Sequence, residues 1–353
     1  MIRHACVLIA TALFTLLFAS CCLSNLIRDT TAGPPPAAAD EREAAPSSAD
    51  APAKGPAEIP TPAPDEATGG RIAFSRDGNL YVLDLETREE LEITTEGSAE
   101  WQSAISYGCP TFVSDDTLMF LKWTTDENGM LTDRAALVGI IQSESDALAE
   151  DLKPTGLGWS EALEAALVLS QTGDPQPAGD DVGATLTLYT LSQGRRPKAT
   201  DVESWFGGVS VNSARVRCSE DGELVSVPHF PTDVSDHYGI HRLDDGTGMD
   251  FVPEDWLGAI VATGVDFAGG DIYATFIAIG DGAPLEPGLY RVDLDAMDHE
   301  LVASVDETNG LAVSTALGVA VVSTWEGALK LIDLETGKET TLGAGQDPDI
   351  WPR

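Results

Sequence analysis

The chain closes on "GAGQDPDIWPR", Gly343–Arg353. Asp347-Pro348 reads as the lead-in to a strand, and Ile350-Trp351 as its apolar-aromatic body. The segment is therefore a strand with no sheet of its own behind it. Its complement lies near the other end of the folded region. There, "GRIAFSRDGNLYVLDLETREELEITT" (70–95) shows an apolar run, a turn at Asp77-Gly78-Asn79, a second run and a third. These are three strands that lack a first one.

Working outward, the two ends share a phrase. Leu80–Thr87 is "LYVLDLET" and Leu329–Thr336 is "LKLIDLET". Weaker copies stand between them: "AALVGIIQSES" from Ala135, "LTLYTLSQ" from Leu186, "YGIHRLDD" from Tyr238 and "LYRVDLDA" from Leu289. Units of about 40–56 residues built of short strands are the mark of a propeller blade. Each unit opens with a segment of small and apolar residues closed by an acidic or Gly turn, as in "CPTFVSDD" (109–116), "SARVRCSEDG" (213–222) and "ATGVDFAGG" (262–270). A strongly apolar strand follows, then the "LYxxDLxT" strand, then a short polar one. The first strand of each unit is expected to line the central channel and the fourth the rim.

This reading predicts an all-β, six-bladed β-propeller over residues 70–353. The ring closes without a covalent link, because Asp347, Pro348, Ile350 and Trp351 supply the innermost strand of the blade that Gly70–Thr95 begins. No sheet edge is then left open at the seam. The competing all-β arrangement, a pair of sandwiches, gives the lone terminal strand no role.

The repeat resembles that of the TolB-like six-bladed propellers, whose first strand carries roughly Pro-x-Trp-Ser-Pro-Asp-Gly. The nearest counterparts are "DPDIWPR" (347–353), "SARVRCSEDG" (213–222) and "PTGLGWSEAL" (154–163), while "FSRDGNLYVLDLET" (74–87) is similar to the second and third strands. The resemblance spans about four-fifths of the chain and implies architecture rather than activity. TolB itself has a small α/β domain ahead of its propeller, which this chain replaces with other material, so TolB's role is not carried over. Propellers of prolyl peptidases look similar too, but they accompany a hydrolase domain for which there is no room here.

The N-terminal residues read as an address. "MIRHACVLIATALFTLLFASCC" has a basic start at Arg3, an apolar run from Ala5 to Phe18, and small residues before Cys21. This is the pattern of a signal peptide over 1–20. The apolar run is shorter than the roughly 20 residues a membrane helix needs. Phe18-Ala19-Ser20-Cys21 resembles a bacterial lipobox, with Phe where Leu is usual. The resemblance implies cleavage before Cys21 and lipidation of that residue. Residues 21–69 hold nine prolines between Pro34 and Pro64, interspersed with Ala, Ser and acids. Such a composition cannot bury a core, so it is expected to be a disordered, semi-extended tether.

Asp and Glu number 58 against 20 Lys and Arg, a net charge of −38. That surface repels polyanions, which argues against nucleic acid and against membrane contact other than through a lipid. Of five cysteines, only Cys109 and Cys218 lie beyond the first 22 residues. They fall on the first strands of blades that are not neighbours, so no disulfide between them is expected.

Motifs of chemistry are scarce. The sequence has no Gly-x-Ser-x-Gly elbow, no His-Glu-x-x-His, no phosphate loop and no dinucleotide fingerprint. "DENG" (126–129) reads as a turn, lacking the alternating ligands of a calcium loop. One metal candidate stands out: His229, Asp233, Asp236 and His237, which a hairpin would bring together as imidazole and carboxylate ligands. Against it, polar hairpin tips of an acidic protein collect such residues without function. Acids also recur at the ends of the first strands: Asp115, Asp116, Glu220, Asp221 and Asp347. They suit turns as well as a channel cation. Tryptophans at 101, 123, 159, 205, 256, 325 and 351 fall near one per unit, which favours packing within and between blades over a sugar platform.

The expected protein is a monomeric, extracytoplasmic lipoprotein of the periplasm or cell surface. Its propeller binds an envelope protein partner as a scaffold module and requires no cofactor. The alternative is a small-ligand-binding or enzymatic propeller, hydrolase- or lyase-like, working at the channel mouth. Its mark would be three or more His, Asp or Glu side chains from different blades converging near the axis.

Overall fold

The computed structural model describes residues 69–352 except 101, 103, 142, 144, 150–153, 172–183, 191–197, 202–213, 229–237, 250, 254, 255, 257, 258 and 280–282. The described strands form six sheets, each built on an antiparallel meander of four; one takes its first strand from the C-terminal segment, and one carries a short fifth strand paired in parallel. They form the six blades predicted from the repeat. Every copy of the repeated phrase lies on or enters the third strand of its blade: Asn79–Asp84, Leu131–Ile140, Ala184–Thr190, Tyr238–Arg242, Gly288–Asp293 and Ala328–Asp333.

Blade one is the composite one. Its four strands are Gln346–Trp351, Arg71–Arg76, Asn79–Asp84 and Glu90–Glu92, in that spatial order. Arg71 pairs with Trp351, Ile72 with Ile350 and Ala73 with Asp349. The hairpin between the second and third strands turns on two residues, Asp77 at φ 52° and Gly78 at φ 78°. Positive φ at both positions is the turn that matches the right-handed twist of paired strands.

Period-two alternation decides which neighbour each side chain meets. In Arg71–Arg76, Ile72 and Phe74 pack with Ala312, Val319 and Val321 of blade six, whereas Ala73 packs with Tyr107, Phe112 and Leu118 of blade two. The same logic gives six buried clusters, one for each junction between adjacent blades. Among the described residues there is no single central core. The buried apolar clusters lie between the blades, and the last of these junctions, between blades six and one, is made by Ile72, Phe74 and Ile350 with Ala312, Val319 and Val321.

Innermost strands are crowded on both faces. Pro154–Ser160 of blade three and Ile260–Ala268 of blade five are buried at every position. The inner strand of blade four is divided: Ala214–Arg215 runs parallel to Gly156–Leu157 of blade three, while Arg217–Cys218 pairs within its own blade. The two strands approach so closely that a Cβ on Gly158 would sit 1.9 Å from the Val216 carbonyl oxygen. Cys109 and Cys218 are buried thiols, with no disulfide between them.

The tryptophans divide. Trp159 is buried, and Trp123, Trp256 and Trp351 pack against interblade clusters as expected. Trp325 departs from that expectation: it follows the second strand of blade six and is 56% exposed. Trp101 and Trp205 lie outside the described residues. No helix among the described residues is long and apolar enough to cross a membrane.

Candidate functional site: the axial charge cluster and the seam groove

Arg215 and Arg217 stand two apart on one inner strand, so both project to the same side. That side is the channel axis. Arg217 is 1% exposed and its Nη1 donates to Asp349 Oδ1 of blade one at 2.5 Å. Its Nε lies 3.5 Å from Asp266 Oδ1 of blade five, and its Nη2 donates to the Leu311 carbonyl of blade six at 3.1 Å. Arg215 Nη1 donates to the Pro110 carbonyl of blade two at 2.7 Å, and its Nη2 donates to the Asp347 carbonyl of blade one. Two arginines of blade four thus tie together blades one, two, five and six.

The carboxylates are equally engaged. Asp349 is fully buried, and its Oδ2 accepts the Phe112 N–H at 2.7 Å. Asp266 Oδ2 accepts the Val313 N–H at 2.8 Å, and its Oδ1 the Phe267 N–H at 2.9 Å. Burial works against the Arg217 charge, but Asp266 and Asp349 more than offset it, and its pKa is raised. Arg215 is shifted the other way, by burial and then by repulsion from Arg217. Beside the cluster, Tyr238 of blade four has its phenol pushed up to about 12 by burial, with Cys109 and Asp347 adding to the effect. A cavity near the axis, lined by Arg215, Tyr238, Asn309 and Asp347 among others, measures about 30 Å³. That is room for about one water molecule.

The sequence pointed elsewhere for axial acids. Asp115, Asp116, Glu220 and Asp221 are exposed turn residues. Asp116 accepts from the Ser114 and Thr117 hydroxyls, and Asp221 accepts from the Ser219 hydroxyl. Asp347 alone of that set reaches the axis. "DENG" is a turn, with Asp126 Oδ1 accepting the N–H groups of Asn128 and Met130. His229, Asp233, Asp236, His237 and Cys21 lie outside the described residues. No group of three or more potential metal ligands occurs among the described residues. Pro348, Ile350 and Trp351 sit on the closing strand, with Ile350 in the junction with blade six and Trp351 packed against the junction with blade two.

A second feature opens on one face. In an antiparallel meander, the start of each inner strand and the turn between second and third strands lie on the same side of the disc. On that side a groove of about 460 Å³ crosses the seam. Its walls come from the turns of blades one and six (Arg76–Gly78, Glu326–Gly327), the closing segment Ala344–Asp347, and Tyr107 and Trp123 of blade two. Around it, the cations already have partners. Arg76 Nη2 lies 2.7 Å from Glu90 Oε2 and stacks over the Tyr81 ring at 4.1 Å. Lys122 is paired with Glu96 at 3.0 Å. Asp77 and Glu326 are exposed, and neither forms an ion pair among the described residues.

The strand pairing defines the class of protein: a six-bladed β-propeller with non-covalent closure. No model of a known protein family matches the chain, and no curated protein matches it. Among solved structures, it is similar to a putative TolB from Agrobacterium tumefaciens, at 13% identity over 79% of this chain and 91% of that one, TM-score 0.49. It is also similar to an oligogalacturonate lyase from Vibrio parahaemolyticus, at 12% identity over 75% of this chain and 71% of that one, TM-score 0.47. A third is an acylaminoacyl peptidase from Pyrococcus horikoshii, at 12% identity over 76% of this chain and 41% of that one, TM-score 0.43. At such identities the likeness is one of fold, and it assigns no activity.

Proposed function

We infer that the chain is an extracytoplasmic lipoprotein, anchored through Cys21, whose propeller serves as a protein-binding scaffold module of the cell envelope. The signal-like residues 1–20 and the Pro-rich residues 21–69 support the address and the tether. The observation that carries the binding role is the closed axis. The place where a propeller enzyme would gather its reacting groups is filled by Arg215, Arg217, Asp266 and Asp349, whose charges answer one another. Carboxylates from two blades do converge there, but two arginines hold them. Such a disc offers its faces rather than its channel.

The test is crosslinking in membranes of the native host, followed by mass spectrometry of captured species, with Cys21→Ser as the unanchored control. One reproducible partner, lost when the protein leaves the membrane, supports the scaffold. Capture of nothing by either form rejects it and brings the small-ligand or enzymatic alternative forward.

A further inference from the structure

The seam groove has apolar company. Trp325 adjoins its Glu326 wall and is 56% exposed, and on the far side Met130, at the tip of the hairpin in blade two, is 66% exposed, with Leu131 next to it. Both tips are turns between second and third strands, so both lie on the face that carries the groove. Four of the described residues' five most exposed large apolar side chains are Met130, Trp325, Ile140 and Leu131, the last level with Leu301, and three of these four flank the groove. Exposed Trp and Met beside a concave site are the side chains that binding interfaces favour.

We propose that this face of blades six, one and two docks a basic segment of a protein partner, with a Lys or Arg side chain entering the groove and apolar side chains covering Trp325 and the Met130–Leu131 tip. This deepens the protein-binding reading and rests on it. Charge selects the cation: Asp77 and Glu326 present open carboxylates, whereas Arg76 and Lys122 are neutralised by Glu90 and Glu96. The net charge of −38 draws a basic partner toward the disc from a distance. Geometry selects a protein segment over a small cation. A volume of about 460 Å³ accepts a small ligand as readily as a long side chain. Only a longer occupant, however, reaches the apolar residues outside the groove on both sides of blade one.

The experiment uses the full chain in detergent and three probes: a labelled Lys-Leu-Arg-Leu-Lys-Leu peptide, its Glu-Leu-Glu-Leu-Glu-Leu counterpart, and spermidine. The basic peptide is expected to bind, the acidic one not to, and binding to weaken as salt is added. Hydrogen exchange should slow at 76–78, 325–327 and 344–347. Affinity should fall at least tenfold in Asp77→Asn/Glu326→Gln and in Trp325→Ala. All three substitutions are at exposed positions, and Asn tolerates the positive φ of residue 77, so melting temperatures should not move. Unchanged affinity in these variants, protection elsewhere, or no binding of the basic peptide overturns the proposal. So does spermidine binding as tightly as the peptide, which would make the groove a small-cation site. Membrane crosslinking with Asp77→Asn/Glu326→Gln separates the two levels. A partner captured equally well by that variant keeps the scaffold and discards this groove; no capture even by the unaltered chain discards the scaffold itself.

Discussion

Arg217 and Asp349 lie 132 residues apart in the chain and 2.5 Å apart at the axis, joining the inner strand of blade four to that of blade one. Each is buried, and each has backbone partners besides the other. Breaking such a pair leaves a charge with no water to answer it, at a cost of about 3–5 kcal/mol. Asp349→Ala should therefore lower stability by about that amount in urea titration. Arg217→Met combined with Asp349→Asn should cost less than the sum of the two single changes, since coupled residues are not additive. Strict additivity would show that the pair does not act as a unit.

Closure of the ring is tested at Ile350, fully enclosed in the junction between blades six and one. Ile350→Ala should cost about 2–5 kcal/mol, the range for a buried large-to-small change. Removing Gln346–Arg353 altogether should destabilise the domain far more, because the junction, the Asp349 carboxylate and the pairing with Arg71–Arg76 go together. An unchanged melting temperature in the truncated chain would contradict the closure.

Gly158 should tolerate no side chain. Its would-be Cβ meets a backbone carbonyl, that of Val216, so the strand itself must move. Gly158→Ala is expected to cost about 2 kcal/mol or more through overpacking. Gly69→Ala isolates the steric part by contrast: its Cβ meets nothing within 4 Å, and its φ, like that of Gly158, lies outside the left-handed range. Equal losses at the two sites would remove the close approach as the cause.

His241, on the third strand of blade four, donates from Nδ1 to the Gly246 carbonyl at 3.2 Å. Burial lowers its pKa below the ordinary value, more than that hydrogen bond raises it. A histidine whose folded pKa is lowered binds fewer protons folded than unfolded. Its contribution to stability is complete above about pH 6.5 and is lost as pH falls from there through the folded pKa. The stability difference between the wild type and His241→Gln should shrink over that window. A difference that is flat with pH would show that this imidazole does not titrate with folding.

Much of the fold could be read from the residues because the fold is a repeat. The phrase shared by Leu80–Thr87 and Leu329–Thr336 set the blade length, and the unmatched Asp347–Trp351 strand set the closure. The axial cluster was harder to see. Arg215 and Arg217 look like any polar pair at period two in a strand. Asp266 is a lone acid in its strand and Asp349 follows Asp347 at period two in another, and they are separated from the arginines by tens to more than a hundred residues. Only the ring brings the four together, and nothing local marks which side of a strand faces the axis. Charged residues two apart in an inner strand that is otherwise apolar were the available signal. Trp325 misled for a related reason. Its spacing fits the repeat, but position along a repeat says which turn a residue occupies, not whether another blade covers it.

The composite blade also gives the protein a way of marking completeness. A chain cut short before Gln346 would keep five blades' worth of paired strands and still lack the one piece that hides Arg217, fills the last junction and caps the edge of Arg71–Arg76. Such fragments would expose a sticky strand edge and a stranded charge at the same place. In the finished ring the same strand pairs that edge and answers that charge at once.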